Sequence, residues 1–284
     1  MSQTFSSPPP PVPSVLVTSP APHVLLVTLD RPAQLNALRR ESHYQLADLW
    51  RWYDAEPSLR CAVVTGRGPR AFCAGADLKE WDERNSGSSP AQVKQEVWSE
   101  AGFGGLSNRR GKKPVVAAVN GLCLGGGMEM VLNVDMVVAD AGAKFGLPEV
   151  KRGVVAIAGA LPRLPRIVGR ARASEMALTG RMYTAAQMES WGIVNRVVGG
   201  EEGATRSVVD EAVALAAEVA ANSPDSVIVS REGLLGAWEG ESARDSTERV
   251  DKGIYRGILG GDNMKEGVLS FVEKRAPVWK DSKL

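Results

Sequence analysis

The segment that most constrains how this chain can fold spans residues 115–149, where three consecutive glycines separate an apolar run from a helix-forming run. The apolar run Val115–Val119 is typical of a buried strand, and Gly125-Gly126-Gly127 follow it after a short connection. Residues 128–132 are good helix formers, and residues 136–139 form a second apolar run. The pattern therefore predicts strand, tight turn, helix and strand in succession, followed by the dipeptide Pro148-Glu149.

A glycine turn between a strand and a helix leaves room for another molecule to approach the main chain. Since the first N–H groups of a helix lack intrahelical partners, such a turn can bind a phosphate or a developing oxyanion. Glu129 lies in the first turn of this helix, and Glu149 follows the second strand. Two carboxylates beside an oxyanion site indicate acid–base chemistry on a carbonyl compound. The alternative is that the glycines only permit close packing and that Glu129 only complements the helix dipole.

A second segment of small residues, Ala74-Gly75-Ala76-Asp77, follows an apolar stretch upstream of the glycine turn. Small side chains let a ligand lie against the main chain, and the N–H of Ala76 would supply a second donor to an oxyanion. The alternative is an ordinary turn between a strand and a helix.

The rest of the chain alternates strands and helices and then becomes mainly helical. Residues 1–21 are rich in Ser and Pro, and this composition predicts a flexible lead-in. The segment lacks the pattern of a secretory signal. Residues 84–90 are polar and predict a loop. This order predicts an α/β fold with parallel strands. Strands are predicted at 24–29, 61–66 and 193–198, and helices at 38–53, 91–110 up to the glycines of 102–105, 171–179, 185–191, 205–222, 224–238, 242–258 and 263–274.

The composition is that of one soluble domain, with 284 residues, 44% of them hydrophobic, and no apolar run long enough to span a bilayer. The net charge of +1 gives no basis for binding to nucleic acid or insertion into a membrane. Cys61, Cys73 and Cys123 are predicted to be buried, reduced thiols. Only His23 and His43 are present, so a zinc or Ser–His site is not expected, and His43 is predicted to lie on a helix surface.

Taken together, residues 71–79 and 115–149 resemble the enoyl-CoA hydratase/isomerase (crotonase) family, and the resemblance extends over residues 24–280. It implies a crotonase-like ββα spiral at residues 22–200, followed by a helical trimerisation region at residues 201–281. It also implies assembly into a homotrimer or homohexamer.

Carried over residue by residue, the resemblance assigns the oxyanion hole to the N–H groups of Ala76 and Gly126. The catalytic pair would be Glu129, from Gly-Gly-Gly-x-Glu, and Glu149, from Pro-Glu. The CoA adenine would lie against Ala74, Gly75 and Ala76, while Phe271 and Lys274 would reach CoA bound to a neighbouring subunit. CoA is then part of the acyl-CoA substrate, and no separate cofactor or metal is expected.

The presence of both glutamates favours a 2-enoyl-CoA hydratase, a hydro-lyase that adds water to or removes it from an acyl-CoA. Isomerases of the family commonly use only the Pro-Glu glutamate, because they move a proton and add no water. Enoyl-CoA isomerase activity therefore stays open as the alternative. A non-catalytic CoA-binding or RNA-binding relative is the alternative from another class.

One position departs from the family pattern. The family typically has Pro-Gly-x-Gly-Gly after Pro-Glu, whereas this chain has Ala156-Ile157-Ala158-Gly159-Ala160. A branched Ile157 in place of glycine is expected to narrow the substrate pocket. This raises a second alternative, hydration of a branched acyl-CoA of the anhydromevalonyl-CoA kind in fungal specialised metabolism rather than fatty-acid β-oxidation.

The final residues Ser282-Lys283-Leu284 match the peroxisomal import tripeptide. They predict a peroxisomal location, an import receptor as a partner, and a freely exposed C-terminus.

Overall fold

The computed structural model describes residues 4–80, 99–200 and 207–284, and it arranges the strands in two sheets. Consecutive strands alternate between the sheets: β3, β5 and β7 lie in the first, and each is followed by β4, β6 or β8 in the second. The first sheet has the order β1-β2-β3-β5-β7-β10 and is parallel except at the β1–β2 hairpin. The second has the order β4-β6-β8-β9 and is antiparallel only between β8 and β9. The strands are β1 Val15–Ala21, β2 Val24–Leu29, β3 Cys61–Gly66, β4 Ala71–Cys73, β5 Val115–Val119, β6 Leu122–Leu124, β7 Met136–Asp140, β8 Lys144–Gly146, β9 Met182–Thr184 and β10 Arg196–Val198.

Helices follow the strands and dominate the C-terminal part of the chain. Short 3-10 turns at Phe103–Gly105 and Pro148–Arg152 border the cleft described below. The helices are α1 Arg40–Ala55, α2 Gly126–Val131, α3 Ala160–Val168, α4 Arg170–Thr179, α5 Ala185–Ser190, α6 Val208–Ala220, α7 Pro224–Trp238, α8 Ala243–Lys252 and α9 Asp262–Glu273.

The central strands are apolar throughout because the first sheet is covered on both faces. Every residue of β3 and β5 is buried. Ala62 and Val64 face a large core shared with the second sheet and α1, whereas Cys61 and Val63 face a smaller core closed by α6. A parallel sheet with two covered faces needs a continuous apolar run rather than an alternating one. All three cysteines are free and buried, as predicted.

The prediction of a flexible lead-in at residues 1–21 is wrong for its second half. Val15–Ala21 form the edge strand β1, which pairs antiparallel with β2. Upstream, the Ser6 N–H donates to the Glu56 carboxylate at 2.8 Å, and Trp52 Nε1–H donates to the Ser7 carbonyl at 3.1 Å. An edge strand tolerates proline because half of its N–H groups point away from the sheet. The Ser and Pro content of this segment indicated flexibility, although it is compatible with an edge strand.

Several predicted helix bounds change for identifiable reasons. The predicted helix 242–258 ends at Lys252, because Gly253 leaves the helical backbone angles (φ −104°, ψ −113°). The helix predicted to end at the glycines of 102–105 is not present at residues 99–101, and Gly102, Gly104 and Gly105 all have positive φ. Only residues 196–198 of the predicted strand 193–198 pair in a sheet. The predicted loop at 84–90, the start of the predicted helix at 91–98 and the domain boundary near residue 201 lie outside the described residues.

No single helix in the described ranges is long and apolar enough to cross a membrane; α6 and α7 pass such a test only as a pair bent by 105°.

Candidate active site

A cleft of about 330 Å³ opens where the two segments of small residues meet. Its lining comes from α1, the turn after β4, the start of α2 and the chain that follows β8. This volume is at the lower end of the range for small-molecule sites. The predicted residues that line the cleft are Ala74, Gly75, Ala76, Gly126, Glu129, Glu149 and Ile157.

The predicted oxyanion donors are brought to one place by the main chain around Gly75. The Leu38 N–H donates to the Gly75 carbonyl at 3.0 Å, and Leu38 forms an isolated parallel bridge with Ala76. Gly75 has a φ of +97°, and a Cβ there would lie 3.4 Å from the Gly126 nitrogen. The turn that carries Ala76 therefore lies against the start of α2, and the glycine is needed both for its backbone angle and for this close approach.

Gly126 is needed for a different reason. A Cβ at this position would lie 2.4 Å from the ring of Phe103, which is itself only 2% exposed. No side chain can be added there without moving an aromatic ring out of the core. The close packing proposed as an alternative for the glycines is thus real, and it coexists with the placement of Gly126 beside the cleft.

Glu129 points from α2 into the cleft and is only 4% exposed. Its Oε1 accepts a hydrogen bond from the Ala160 N–H at 3.3 Å. Burial is the largest cause that raises the pKa of the Glu129 carboxyl; together with the charge of Glu149, and against the lowering effect of the Ala160 hydrogen bond, it brings this pKa to about 7. Near neutral pH this carboxyl therefore holds a proton part of the time, which an acid catalyst needs.

Glu149 approaches the cleft from the other side, in the 3-10 turn that Pro148 begins. A Cβ at Gly125 would lie 3.1 Å from its Oε1. Its Oε2 is buried and has no hydrogen-bond partner among the described residues. Burial raises the pKa of this carboxyl as well. Glu149 lines the cleft, so its carboxyl is placed to take a proton from a bound ligand.

Ile157 lies in the wall of the cleft and is 70% exposed in the single chain, so it does not pack into the core. Val155 beside it is 62% exposed and lines the same wall. Ile157 stands within residues 156–160, at which the family pattern has Pro-Gly-x-Gly-Gly, and Val155 immediately precedes that stretch.

The structure does not bring the remaining predicted residues to the cleft of their own chain. Phe271, 85% exposed, and Lys274 lie at the end of α9. The C-terminus is not freely exposed as predicted, because Ser282 Oγ donates to Asp225 Oδ1 at 2.5 Å and the Lys112 ammonium donates to the Leu284 carbonyl. These polar contacts hold the last residues against α7 and against the segment that precedes β5.

The prediction that His43 lies on a helix surface is wrong: it is 3% exposed and lines the cleft. Its position could have been found from the sequence, because it stands three residues before Leu46 and so shares the buried face of α1. Arg40 and Tyr44 on the same helix, and Phe103 opposite, also line the cleft and were not predicted. Within the described ranges, no three His, Cys, Asp or Glu side chains cluster as metal ligands would.

Comparison with known sequences agrees with this geometry. The sequence model of the enoyl-CoA hydratase/isomerase family matches residues 21–282. A mevalonyl-coenzyme A hydratase of Beauveria bassiana is 63% identical over 99% of this chain and 100% of its own, and one of Aspergillus fumigatus is 46% identical over 97% and 98%. A carnitinyl-CoA dehydratase of Proteus mirabilis is 36% identical over 90% of this chain and 95% of its own.

Solved structures give the same result. The enoyl-CoA hydratase of Mycobacterium tuberculosis superposes with a TM-score of 0.82 at 34% identity, covering 95% of this chain and 100% of that one. An enoyl-CoA hydratase from Bacillus anthracis gives 0.81 at 30% identity with the same coverage. The predicted crotonase-type fold and hydratase class are thereby confirmed. The chain belongs to the enoyl-CoA hydratase/isomerase family.

Proposed function

We propose that this protein is a hydro-lyase that interconverts a short, branched 3-hydroxyacyl-CoA and its 2-enoyl-CoA, with a substrate of the mevalonyl-CoA kind. The observation that carries the proposal is the pair of carboxyls, buried Glu129 and half-buried Glu149, at the cleft where Ala76 and Gly126 meet. The substrate class is supported by the names of the relatives at 63% and 46% identity and by the branched side chains in the wall of a small cleft.

In this mechanism the thioester oxygen accepts hydrogen bonds from the N–H groups of Ala76 and Gly126, which stabilise enolate charge. In the dehydration direction the Glu149 carboxylate takes a proton from Cα, and the C–H electron pair forms the double bond. Glu129, protonated, gives its proton to the departing Cβ hydroxyl, so that the C–O bond breaks and water leaves. Hydration reverses each step, with Glu129 as the base toward water and Glu149 as the acid toward Cα.

The raised pKa of Glu129 supports the role of this carboxyl as the group that exchanges a proton with water. A carboxyl with a pKa of about 7 exists in both protonation states near neutral pH, so it can act in either direction. An isomerase needs no group that handles water, and the carboxyl pair therefore favours the hydratase over the isomerase.

Assembly into a trimer or hexamer, with Phe271 and Lys274 reaching a neighbour's CoA, is part of the proposal. An exposed apolar face on α9 supports it, because single-chain proteins rarely leave such a face uncovered. The residues of this face, all about half exposed or more, are Val268, Leu269, Phe271 and Val272.

A peroxisomal location is also proposed, on the basis of Ser282-Lys283-Leu284. Import would require these residues to leave Asp225 and Lys112, to which they are bonded. Lys283 is already 88% exposed at its side chain.

The experiment that tests the function is a turnover assay of the purified protein on a panel of thioesters. The panel holds anhydromevalonyl-CoA, crotonyl-CoA, a long straight 2-enoyl-CoA, a 3-enoyl-CoA and carnitinyl-CoA. We expect the highest kcat/KM for anhydromevalonyl-CoA. Activity confined to the 3-enoyl-CoA would instead identify an isomerase, and a preference for carnitinyl-CoA or the long chain would refute the substrate class.

A further inference from the structure

The direction of the Ala76 N–H is set by a short pairing between residues 35–38 and residues 74–77. The Leu38 N–H donates to the Gly75 carbonyl at 3.0 Å, and the Asp77 N–H donates to the Leu38 carbonyl at 2.9 Å. In a parallel bridge with these two bonds, the residue opposite Leu38 directs its own N–H and C=O away from Leu38. That residue is Ala76, which also lines the cleft. The pairing therefore leaves the Ala76 N–H unused by residues 35–38.

This pairing has little support of its own. The contact between Leu38 and Ala76 is an isolated bridge outside the two sheets. The turn that leads into it has two consecutive non-glycine residues, Leu35 and Asn36, at φ of +52° and +56°. The left-handed region is unfavourable for residues with a side chain, so such a turn persists only when contacts around it hold it in place. The direction of the Ala76 N–H therefore depends on contacts beyond the pairing itself.

The guanidinium group of Arg31 spans the pairing. Arg31 Nη1–H donates to the Ala37 carbonyl, and Arg31 Nη2–H donates to Asp77 Oδ2 at 2.8 Å. Ala37 directly precedes Leu38 and Asp77 directly follows Ala76, so the two hydrogen bonds join the residues that flank the bridge. The side chains of Arg31 and Asp77 are only 11% and 12% exposed, and water therefore screens this ion pair less than it would on the surface.

The second carboxylate oxygen of Asp77 holds the chain beyond the turn. Asp77 Oδ1 accepts a hydrogen bond from the Lys79 N–H at 3.2 Å. With both oxygens bonded, the carboxylate cannot rotate without losing a hydrogen bond. Charge-assisted bonds from a planar guanidinium fix orientation as well as distance. Arg31 thereby restrains the residue that directly follows Ala76.

We infer that Arg31 is a positioning residue for the oxyanion hole: by joining Ala37 to Asp77, its guanidinium aims the Ala76 N–H at the thioester oxygen. This inference rests on the proposed function, in which the N–H groups of Ala76 and Gly126 bind that oxygen. Arg31 is not among the described residues that line the cleft, so it acts through the main chain. Its effect falls on recognition of the carbonyl oxygen and not on the rest of the acyl-CoA.

Two substitutions of Arg31 and one matched control separate this role from a general effect on the fold. Arg31→Met keeps the length of the side chain and removes both hydrogen bonds. Arg31→Lys keeps the charge, but one ammonium cannot reproduce the planar fork that reaches two acceptors, and this milder change keeps the inference testable if Arg31→Met does not fold. Arg67→Met is the control, because it breaks an ion pair of similar length, 2.7 Å from Arg67 Nη1 to Asp30 Oδ2, that does not include Asp77.

The test is calorimetric binding of two unreactive ligands to the full-length protein, 3-methylbutanoyl-CoA and the S-(3-methylbutyl) thioether of CoA. The thioether differs only in having two hydrogens in place of the carbonyl oxygen. We expect the unsubstituted protein and Arg67→Met to bind the thioester about tenfold more tightly, the scale of hydrogen bonds to a neutral carbonyl. The ratio of the two Kd values should fall to about threefold in Arg31→Met, since one of two donors is lost, and to a value between these in Arg31→Lys.

A purely structural role for Arg31 would weaken both ligands equally in Arg31→Met and leave the ratio unchanged, and this result would overturn the inference. A fall in the ratio as large in Arg67→Met as in Arg31→Met would also overturn it. A ratio near one in the unsubstituted protein would overturn the inference together with the oxyanion hole. Failure of the proposed hydratase activity would be seen separately, as absent turnover in the thioester panel, because neither ligand can gain or lose water.

Discussion

Replacing Glu129 by Gln should make the protein more stable above neutral pH while removing its activity. In the folded protein the pKa of Glu129 is raised from 4.5 to about 7, so ionising the buried carboxyl costs folding free energy. One pKa unit corresponds to about 1.4 kcal/mol, which gives a penalty of about 3 kcal/mol above pH 7. Between about pH 4.5 and pH 7 the folded state binds more protons than the unfolded state, so stability falls as the pH rises. Glutamine has no charge to bury and avoids this loss.

The assay is chemical denaturation of both proteins at about pH 5 and about pH 8, at one protein concentration so that assembly affects them equally. We expect similar free energies of unfolding at the lower pH, and a gain of up to about 3 kcal/mol for Glu129→Gln at the higher pH. Glu41→Gln on α1 is the control, since it makes the same chemical change at an exposed position. A glutamine variant that is destabilised equally at both pH values would refute the claim that burial raises the pKa of Glu129.

Three further predictions concern substrate size, assembly and location. Ile157→Gly should raise kcat/KM on a long straight 2-enoyl-CoA about tenfold relative to anhydromevalonyl-CoA, because it removes a branched side chain from the cleft wall, and a fall in that ratio would count against the role of Ile157. Light scattering should give a trimer or hexamer. Phe271→Asp should weaken this assembly, because it puts a charge on the exposed apolar face of α9, and a fully active monomer would exclude the assembly. A fluorescent fusion after Leu284 should be cytosolic and an N-terminal fusion peroxisomal, whereas identical distributions would show the tripeptide to be without effect.

The central part of the fold could be predicted because both faces of the first sheet are covered. Strands such as β2, β3 and β5 are continuous apolar runs between turn residues, and the sequence alone places them within one residue. The positions of the two glutamates also follow the predicted order of elements, since Glu129 lies in α2 after β5 and β6, and Glu149 follows β8. Both line the cleft, and the resemblance to the family assigns them as the catalytic pair.

The errors have a shared physical origin in contacts between residues distant in sequence. Nothing local in Ser6 indicates that its N–H will bind Glu56, so the N-terminal segment was predicted to be flexible. The spacing of His43 to Leu46 places it on the buried face of α1, but its contact with the turn at Phe103–Gly105 depends on how that face packs. The docking of Ser282 on Asp225 likewise depends on where α7 begins.

The central claim is that two carboxyls perform water addition and removal at this cleft. It is tested most directly by the kcat of the full-length protein, Glu129→Gln and Glu149→Gln on anhydromevalonyl-CoA, followed by the absorbance of the conjugated thioester. The account predicts that each substitution lowers kcat by at least about a hundredfold, the scale of one acid–base group. Retention of substantial kcat in either variant, with the protein folded and binding CoA thioesters normally, would contradict it.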